Sequence, residues 1–121
     1  MPILDVDYIG PVADHVRRAR ARRIADAAGA VLGAPPRSTW VRMRFVPADE
    51  YAENEGAEPG AWPVIVQVLE ADPPEGEDLA AEARRLTEAI AAACGRPADN
   101  VHLVYAPAGR GRVSFGGRLR G

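Results

Sequence analysis

Apolar and polar residues alternate in several short stretches of the chain, a pattern that predicts strands with one buried face. Residues 2–9 alternate in this way, and residues 40–46 place Trp40, Arg42 and Arg44 on one face. Residues 62–69 are apolar on both faces, which predicts a central strand. Residues 101–105 predict a fourth long strand, and residues 112–115 a short one near the end of the chain.

Helical spacing of apolar residues separates these strands. One predicted helix follows Asp14, the expected cap, and stops at Gly33-Ala-Pro-Pro. The second opens at Asp78 and stops at Gly95-Arg-Pro. The polar segment 47–60 predicts a loop with room for a short hairpin.

The order strand, helix, strand occurs twice, in residues 1–60 and 61–121, so the chain is predicted to be one domain built from an internal repeat. Each unit is expected to form a right-handed parallel crossover. The predicted fold class is therefore α+β, with two tandem βαβ units, a four-stranded mixed sheet and both helices on one face. The other sheet face would be bare in a monomer, which favours association.

Composition narrows the possible functions. Fifteen basic and 17 acidic residues give a net charge of −2, which argues against a nucleic-acid partner. All the basic residues are arginines, so lysine chemistry is excluded. A single cysteine, Cys94, excludes an intrachain disulfide, and two distant histidines argue against a metal site. No cofactor is expected.

The same sequence argues against a membrane location. No apolar run is long enough for a membrane helix. The start of the chain, MPILDVDYIG, is acidic where a secretory signal would be basic, so a cytoplasmic protein is expected. The lack of lysine and the abundance of alanine and arginine suggest a GC-rich bacterial genome.

The duplicated unit, the Met1-Pro2 start, the two helix exits and the glycine-rich end RVSFGGRL together resemble the tautomerase superfamily. That superfamily includes 4-oxalocrotonate tautomerase and macrophage migration inhibitory factor. The resemblance covers essentially the whole chain. It implies a homotrimer with a barrel-like core of three sheets, and an amino-terminal proline that acts in catalysis.

The chemistry of Pro2 supports that implication. Removal of Met1 before a small residue would expose a secondary amine, and α-amino groups titrate at about 7.7–8.0 in model peptides. An apolar pocket or a nearby arginine would lower the pKa of that amine further. Pro2 would then be a neutral general base at about pH 7, able to move a proton between carbon and oxygen. The alternative is that Pro2 is only a rigid first strand residue.

The resemblance also implies residues that hold a small carboxylate substrate. Arg42 matches a substrate-binding arginine that serves a neighbouring site, and Arg44 shares its face. The planar guanidinium suits carboxylate binding. For each arginine the alternative is a solvated or ion-paired strand residue.

Four further residues are candidates for the pocket. His102 matches a pocket tyrosine, and Phe115 matches a pocket tryptophan that would help to keep Pro2 neutral. Tyr51 is a weaker candidate for the same wall, and Arg112 could supply positive charge at the rim. The alternatives are a surface-facing strand histidine for His102, trimer core for Phe115 and a solvated side chain for Arg112.

The sequence also departs from the family pattern. The strand-to-helix turns lack the carboxylate-binding arginines of several members, and the second turn, residues 70–75, is acidic. This argues against a dicarboxylate substrate and against hydration of halogenated acrylates. Ala34 stands where one family branch has a lysine, and the glutamates of segment 47–60 are expected to be a solvated surface.

The predicted function is keto-enol tautomerisation of a small 2-oxo or enol carboxylic acid, with Pro2 as base. The second unit opens at Trp62-Pro63 inside the chain, where no free amine exists, so one site per subunit is expected. Two alternatives stay open. One is a non-catalytic trimeric binding protein, and the other is a sister reaction such as decarboxylation or hydration of a three-carbon acid.

Overall fold

A computed structural model describes residues 1–121 of the chain. The elements in chain order are β1 (Ile3–Ile9), α1 (Asp14–Leu32), β2 (Trp40–Val46), β3 (Val64–Leu69), α2 (Gly76–Cys94), β4 (Val101–Tyr105), β5 (Ser114–Phe115) and β6 (Arg118–Leu119). A 3₁₀ turn at Ala48–Glu50 follows β2, and a second at Ala98–Asn100 comes directly before β4.

Four strands form one mixed sheet in the order β2-β1-β3-β4. The pairs β1–β2 and β3–β4 are parallel, and β1 and β3 are antiparallel at the centre. Each parallel pair is joined by one helix, so each half of the chain is a βαβ unit. The predicted fold class, with two βαβ units and one four-stranded mixed sheet, is confirmed.

The core lies between the sheet and the helices. Alternate residues of the central strands are fully buried on this side, including Leu4 and Val6 of β1 and the valines of β3. From the helices, Ile24, Leu86 and Ile90 pack against them. The opposite face of the sheet carries the exposed residues of the same alternation, so it has no cover within the chain.

Glycine ends both long helices. Gly33 and Gly95 adopt the left-handed conformation, and their amides donate to carbonyls of the last helical turn. The helix starts differ slightly from expectation, because α2 begins at Gly76 and Asp14 is the first residue of α1 and forms no side-chain cap. Neither helix start has a side-chain cap, and a glycine ends each helix.

Three other boundaries differ from the sequence prediction. β3 begins at Val64, since Pro63 has no amide hydrogen to donate to a strand partner. Segment 47–60 contains the Ala48–Glu50 turn and no hairpin. The chain end forms a two-stranded hairpin, β5 with β6, where a single short strand was predicted. No helix is long and apolar enough to cross a membrane.

Gly10 ends β1 at a place where a side chain would not fit. Its φ is +97°, and a Cβ there would lie 2.6 Å from the Trp62 ring. Gly56 has a similar φ of +104° with open space around it. Gly10→Ala and Gly56→Ala should both carry the left-handed strain of about 1–2 kcal/mol, and only the first adds the collision. We expect the larger loss of unfolding free energy in urea for Gly10→Ala; equal losses would contradict the close packing of Trp62.

Candidate functional site

Strand register brings the start of the chain against the end of β3. Ile3 pairs with Leu69, so the residues beyond them, Pro2 and Glu70, lie opposite each other at the same end of the two central strands. Side chains alternate along strands, and Leu4 and Val68 are buried under the helices. Pro2 and Glu70 therefore project to the helix-covered side. The Pro2 carbonyl also accepts a hydrogen bond of 3.0 Å from the amide of Trp40.

A cavity of about 390 Å³ opens at this corner of the fold. The helix exit contributes Gly33, Ala34 and Pro35 to its wall, and the turn after β3 contributes Glu70, Ala71 and Asp72. The remaining lining residues are Met1, Pro2, Leu32, Ser38 and Arg120. The cavity is large enough for a small carboxylic acid, and Pro2 forms part of its wall.

Glu70 connects the cavity to a buried polar network. Its Oε2 is buried without a conventional hydrogen-bond partner, and its carboxyl faces Glu82 of α2. Glu82 is 8% exposed and accepts a hydrogen bond of 2.9 Å from the Tyr105 hydroxyl. Burial, and after it the neighbouring carboxyl of Glu82, raise the pKa of Glu70 to about 7. Burial raises the pKa of Tyr105 as well, and its hydrogen bond to Glu82 adds to that rise.

Asp72, the other carboxylate of the cavity wall, is held differently. Arg110 binds it through two hydrogen bonds, one of them 2.6 Å from Nε to Oδ1. That pairing lowers the pKa of Asp72, with smaller contributions from Arg120 and the chain's amino group. The amino group also acts on Glu70, where its positive charge opposes the raised pKa. The amino terminus thus lies near two carboxyl groups whose pKa values are shifted in opposite directions.

Arg42 and Arg44 lie on the face of the sheet that the helices leave bare. Arg42 donates to Asp5 with a 2.8 Å hydrogen bond, and Arg44 donates to Asp7 at the same distance. The hydrogen bond to Asp7 raises the pKa of Arg44. Because Pro2 projects to the opposite side, neither arginine reaches the cavity of its own subunit.

The other predicted residues are spread over the molecule. His102 is exposed on the bare sheet face, and Arg112 is exposed in the turn before β5. Tyr51 donates a 2.6 Å hydrogen bond to Glu53, which raises the pKa of Tyr51. Of these four, only Phe115 lies near the start of the chain, where it lines a small second cavity with Met1 and packs edge-on against Trp40 at 5.4 Å.

Four residues in or beside this site are not predicted from the sequence: Glu70, Glu82, Tyr105 and Arg120. Glu70 stands in the sequence only as part of the acidic turn 70–75. The signal that would have found it is alternation, because Val64, Val66 and Val68 continue to Glu70 on one face. Its position opposite Pro2 depends on the antiparallel β1–β3 register, which the sequence does not specify. No group of three or more potential metal-binding side chains occurs in the structure.

The raised pKa of Glu70 makes stability depend on pH in a definite direction. Between the ordinary value of 4.5 and about 7, the folded chain holds a proton on Glu70 that the unfolded chain releases. This group's contribution to stability is therefore full below 4.5 and falls as pH rises through 7. We expect Glu70→Gln to be more stable than wild type at about pH 8 and to flatten this loss, as measured by urea unfolding. An unchanged pH dependence would contradict the buried carboxyl pair.

Comparison with solved structures identifies the fold. A fused 4-OT, described as a symmetric trimer, shares 21% identity over 98% of this chain and 94% of its own, with a TM-score of 0.77. Pt0534, described as inactivated by 2-oxo-3-pentynoate, shares 16% identity over 98% of this chain and 94% of its own, with a TM-score of 0.73. FG41 malonate semialdehyde decarboxylase, inhibited by 3-bromopropiolate, shares 20% identity over 94% and 88%, with a TM-score of 0.72.

Those similarities extend over nearly the whole of both chains, at identities that establish the fold alone. No family model and no curated protein matches the sequence. The duplicated βαβ arrangement and the solved neighbours agree with the resemblance drawn from the sequence motifs. The chain has the tautomerase-superfamily fold.

Proposed function

We propose that this chain is an enzyme of the tautomerase superfamily that converts small enol carboxylic acids to 2-oxo acids. The observation that carries the proposal is the position of Pro2 in the wall of the 390 Å³ cavity, at the start of β1. Similarity to fused 4-OT over 98% of the chain supports the same chemistry. The reaction needs one base at a pocket of this size and no cofactor.

Pro2 is proposed as the base after removal of Met1. Its secondary amine would then end the chain at the cavity wall, beside residues that shield part of it from water. Phe115 and the apolar helix exit would form the drier side of the pocket. A base at this place accepts a proton from the enol hydroxyl, and the double bond shifts to give the ketone.

The active assembly is proposed to be a homotrimer, with the bare sheet faces turned toward one another. This face carries exposed Trp40 and Val104, which are 46% and 52% exposed, together with the ion pairs of Arg42 and Arg44. Fused 4-OT trimers with the same fold support this arrangement. Light scattering should give about three times the 12.9 kDa subunit mass, and a monomer would contradict it.

The substrate carboxylate is proposed to be held by arginine. Within one subunit only Arg120 reaches the cavity. Arg42, and less directly Arg44 and Arg112, would complete the pocket of a neighbouring subunit, with His102 and Tyr51 at its rim. In such an arrangement Arg42 would bind the substrate carboxylate of the neighbouring subunit while it also pairs with Asp5 of its own.

Decarboxylation of a three-carbon oxo acid is the second candidate. It is favoured by the similarity to malonate semialdehyde decarboxylase over 94% of this chain. A non-catalytic trimer that binds a small ligand is the remaining alternative.

We also propose that the protein is cytoplasmic, and that residues 1–60 and 61–121 are the two repeats of one domain.

One experiment separates these functions. Untagged protein, its Met1 removal checked by mass spectrometry, is assayed for ketonisation of an aryl enolpyruvate and for decarboxylation of malonate semialdehyde. The proposal expects ketonisation well above the buffer rate. Decarboxylation alone would favour the second candidate. A trimer with a free Pro2 that turns over neither compound would contradict the enzyme proposal.

A further inference from the structure

The carboxyl pair beside Pro2 has an unusual hydrogen-bond arrangement. Glu70 Oε2 is buried, has no conventional partner and faces the nearly buried carboxyl of Glu82. Repulsion between neighbouring carboxylates disfavours the doubly ionised pair, and one shared proton relieves it. Tyr105 donates its own hydrogen to Glu82, so the proton between the two carboxyls is left to Glu70.

We propose that Glu70 is a second catalytic residue of the Pro2 cavity, the carboxylic acid that gives a proton to the substrate while the Pro2 amine takes one away. This inference rests on the proposed tautomerase function and deepens it. Glu82 and Tyr105 act as positioning residues, since they hold the Glu70 carboxyl in its protonated form and do not line the cavity.

The proposed step balances in protons and electrons. The Pro2 nitrogen takes the enol hydroxyl proton, and the electron pair of that O–H bond becomes the second bond of the ketone. The electron pair of the carbon-carbon double bond takes the proton of Glu70, and a new C–H bond forms. The products are the 2-oxo acid, a protonated Pro2 and an ionised Glu70. Transfer of the proton from Pro2 to Glu70 restores the starting state.

Glu70 is better suited to this role than the other carboxyl group of the cavity wall. Asp72 is held ionised by Arg110 and so carries no proton to donate near neutral pH. Five titratable or charged groups lie around Glu70: Glu82 from α2, Tyr105 from β4, Asp72 on its own turn, and Arg120 and the amino terminus at the cavity. Of these, Glu82 raises the pKa of Glu70 and the positive amino terminus lowers it.

The kinetic test compares Glu70→Gln with Glu77→Gln in the trimeric, Met1-free protein, with an aryl enolpyruvate as substrate. Gln keeps the size of the side chain and removes the acidic proton. We expect Glu70→Gln to lower kcat by about 10²-fold or more, the usual contribution of an acid catalyst. Glu77→Gln changes an exposed carboxyl in the first turn of α2 and should leave kcat unchanged. A normal kcat in Glu70→Gln would overturn the proposal.

The pH profile separates catalysis from structure. Wild type should lose kcat as pH rises past about 7, where Glu70 loses its proton. Glu82→Gln removes the charge that helps to keep Glu70 protonated, so this loss should move to lower pH. In Glu70→Gln this loss of kcat at high pH should be absent. A loss of kcat at the wild-type pH in both variants would contradict a role for Glu70 in proton transfer.

A titration decides the inference even where the proposed function fails. If wild type turns over no enol, the nitrogen of Pro2 is followed by ¹⁵N NMR across pH in wild type and Glu70→Gln. Because Glu70 ionises at about pH 7, the Pro2 nitrogen of wild type should show a second titration step there, and Glu70→Gln should lose that step. Its loss would show that Pro2 and Glu70 are coupled whatever substrate the cavity accepts. Identical titration curves would overturn the pair.

Discussion

Pro2→Ala is expected to lower kcat/KM for ketonisation of an aryl enolpyruvate by about 10²-fold or more. The variant still ends in an amine after Met1 is removed. It loses the ring that fixes the backbone angle and hence the direction of the nitrogen lone pair toward the cavity. A base that is free to rotate spends less of its time aligned with the proton it must remove. The measurement is steady-state kinetics with mass spectrometry of each amino terminus.

Pro11→Ala provides the matched control for that loss. Pro11 is exposed at the turn after β1, away from the Pro2 cavity, so the same substitution there should leave kcat/KM unchanged. Both variants are checked for the wild-type oligomeric state by light scattering. Equal activity in Pro2→Ala and wild type would argue that the amino terminus takes no part in the reaction.

Leu86→Ala is expected to cause the largest loss of stability, about 2–5 kcal/mol in the free energy of unfolding. Leu86 lies on the sheet-facing side of α2 and is fully buried in the core with the valines of β3. Truncation removes apolar contacts and leaves a cavity that the sheet and helices fill only in part. Urea unfolding at one fixed protein concentration measures the loss, because assembly would make stability depend on concentration.

Leu119→Ala is the control for the size of that effect. Leu119 is 63% exposed in β6, at the end of the chain, and its truncation should change the unfolding free energy by less than about 0.5 kcal/mol. A small loss in Leu86→Ala would mean that α2 packs less tightly on the sheet than the structure indicates.

Most of the architecture was predictable because it rests on periodic patterns. Alternation in residues 2–9 predicted a half-buried strand, and the apolar run 62–69 predicted a central one. Helical spacing that stops at Gly33 and Gly95 predicted both helix ends. Boundaries without a strong local signal were less accurate. α2 starts two residues earlier than Asp78, at a place where no side-chain cap marks the boundary.

The candidate site was predictable only in part. Pro2 stood out because its chemistry depends on its place in the chain. Glu70 did not, because its role depends on a partner 12 positions further along, Glu82, and on a β1–β3 register that no local motif encodes. Arg42 was identified by resemblance, and its ion pair with Asp5 follows from a strand pairing that local sequence does not reveal.

The most direct test of the account compares two forms of the wild-type chain that differ by one residue. One form begins at Pro2, and the other keeps Met1, which turns the proline nitrogen into an amide that accepts no proton. Both are assayed for ketonisation of the aryl enolpyruvate at equal subunit concentration. We expect activity in the Pro2 form and a rate near that of buffer in the Met1 form. Equal rates in the two forms would contradict catalysis by the amine of Pro2.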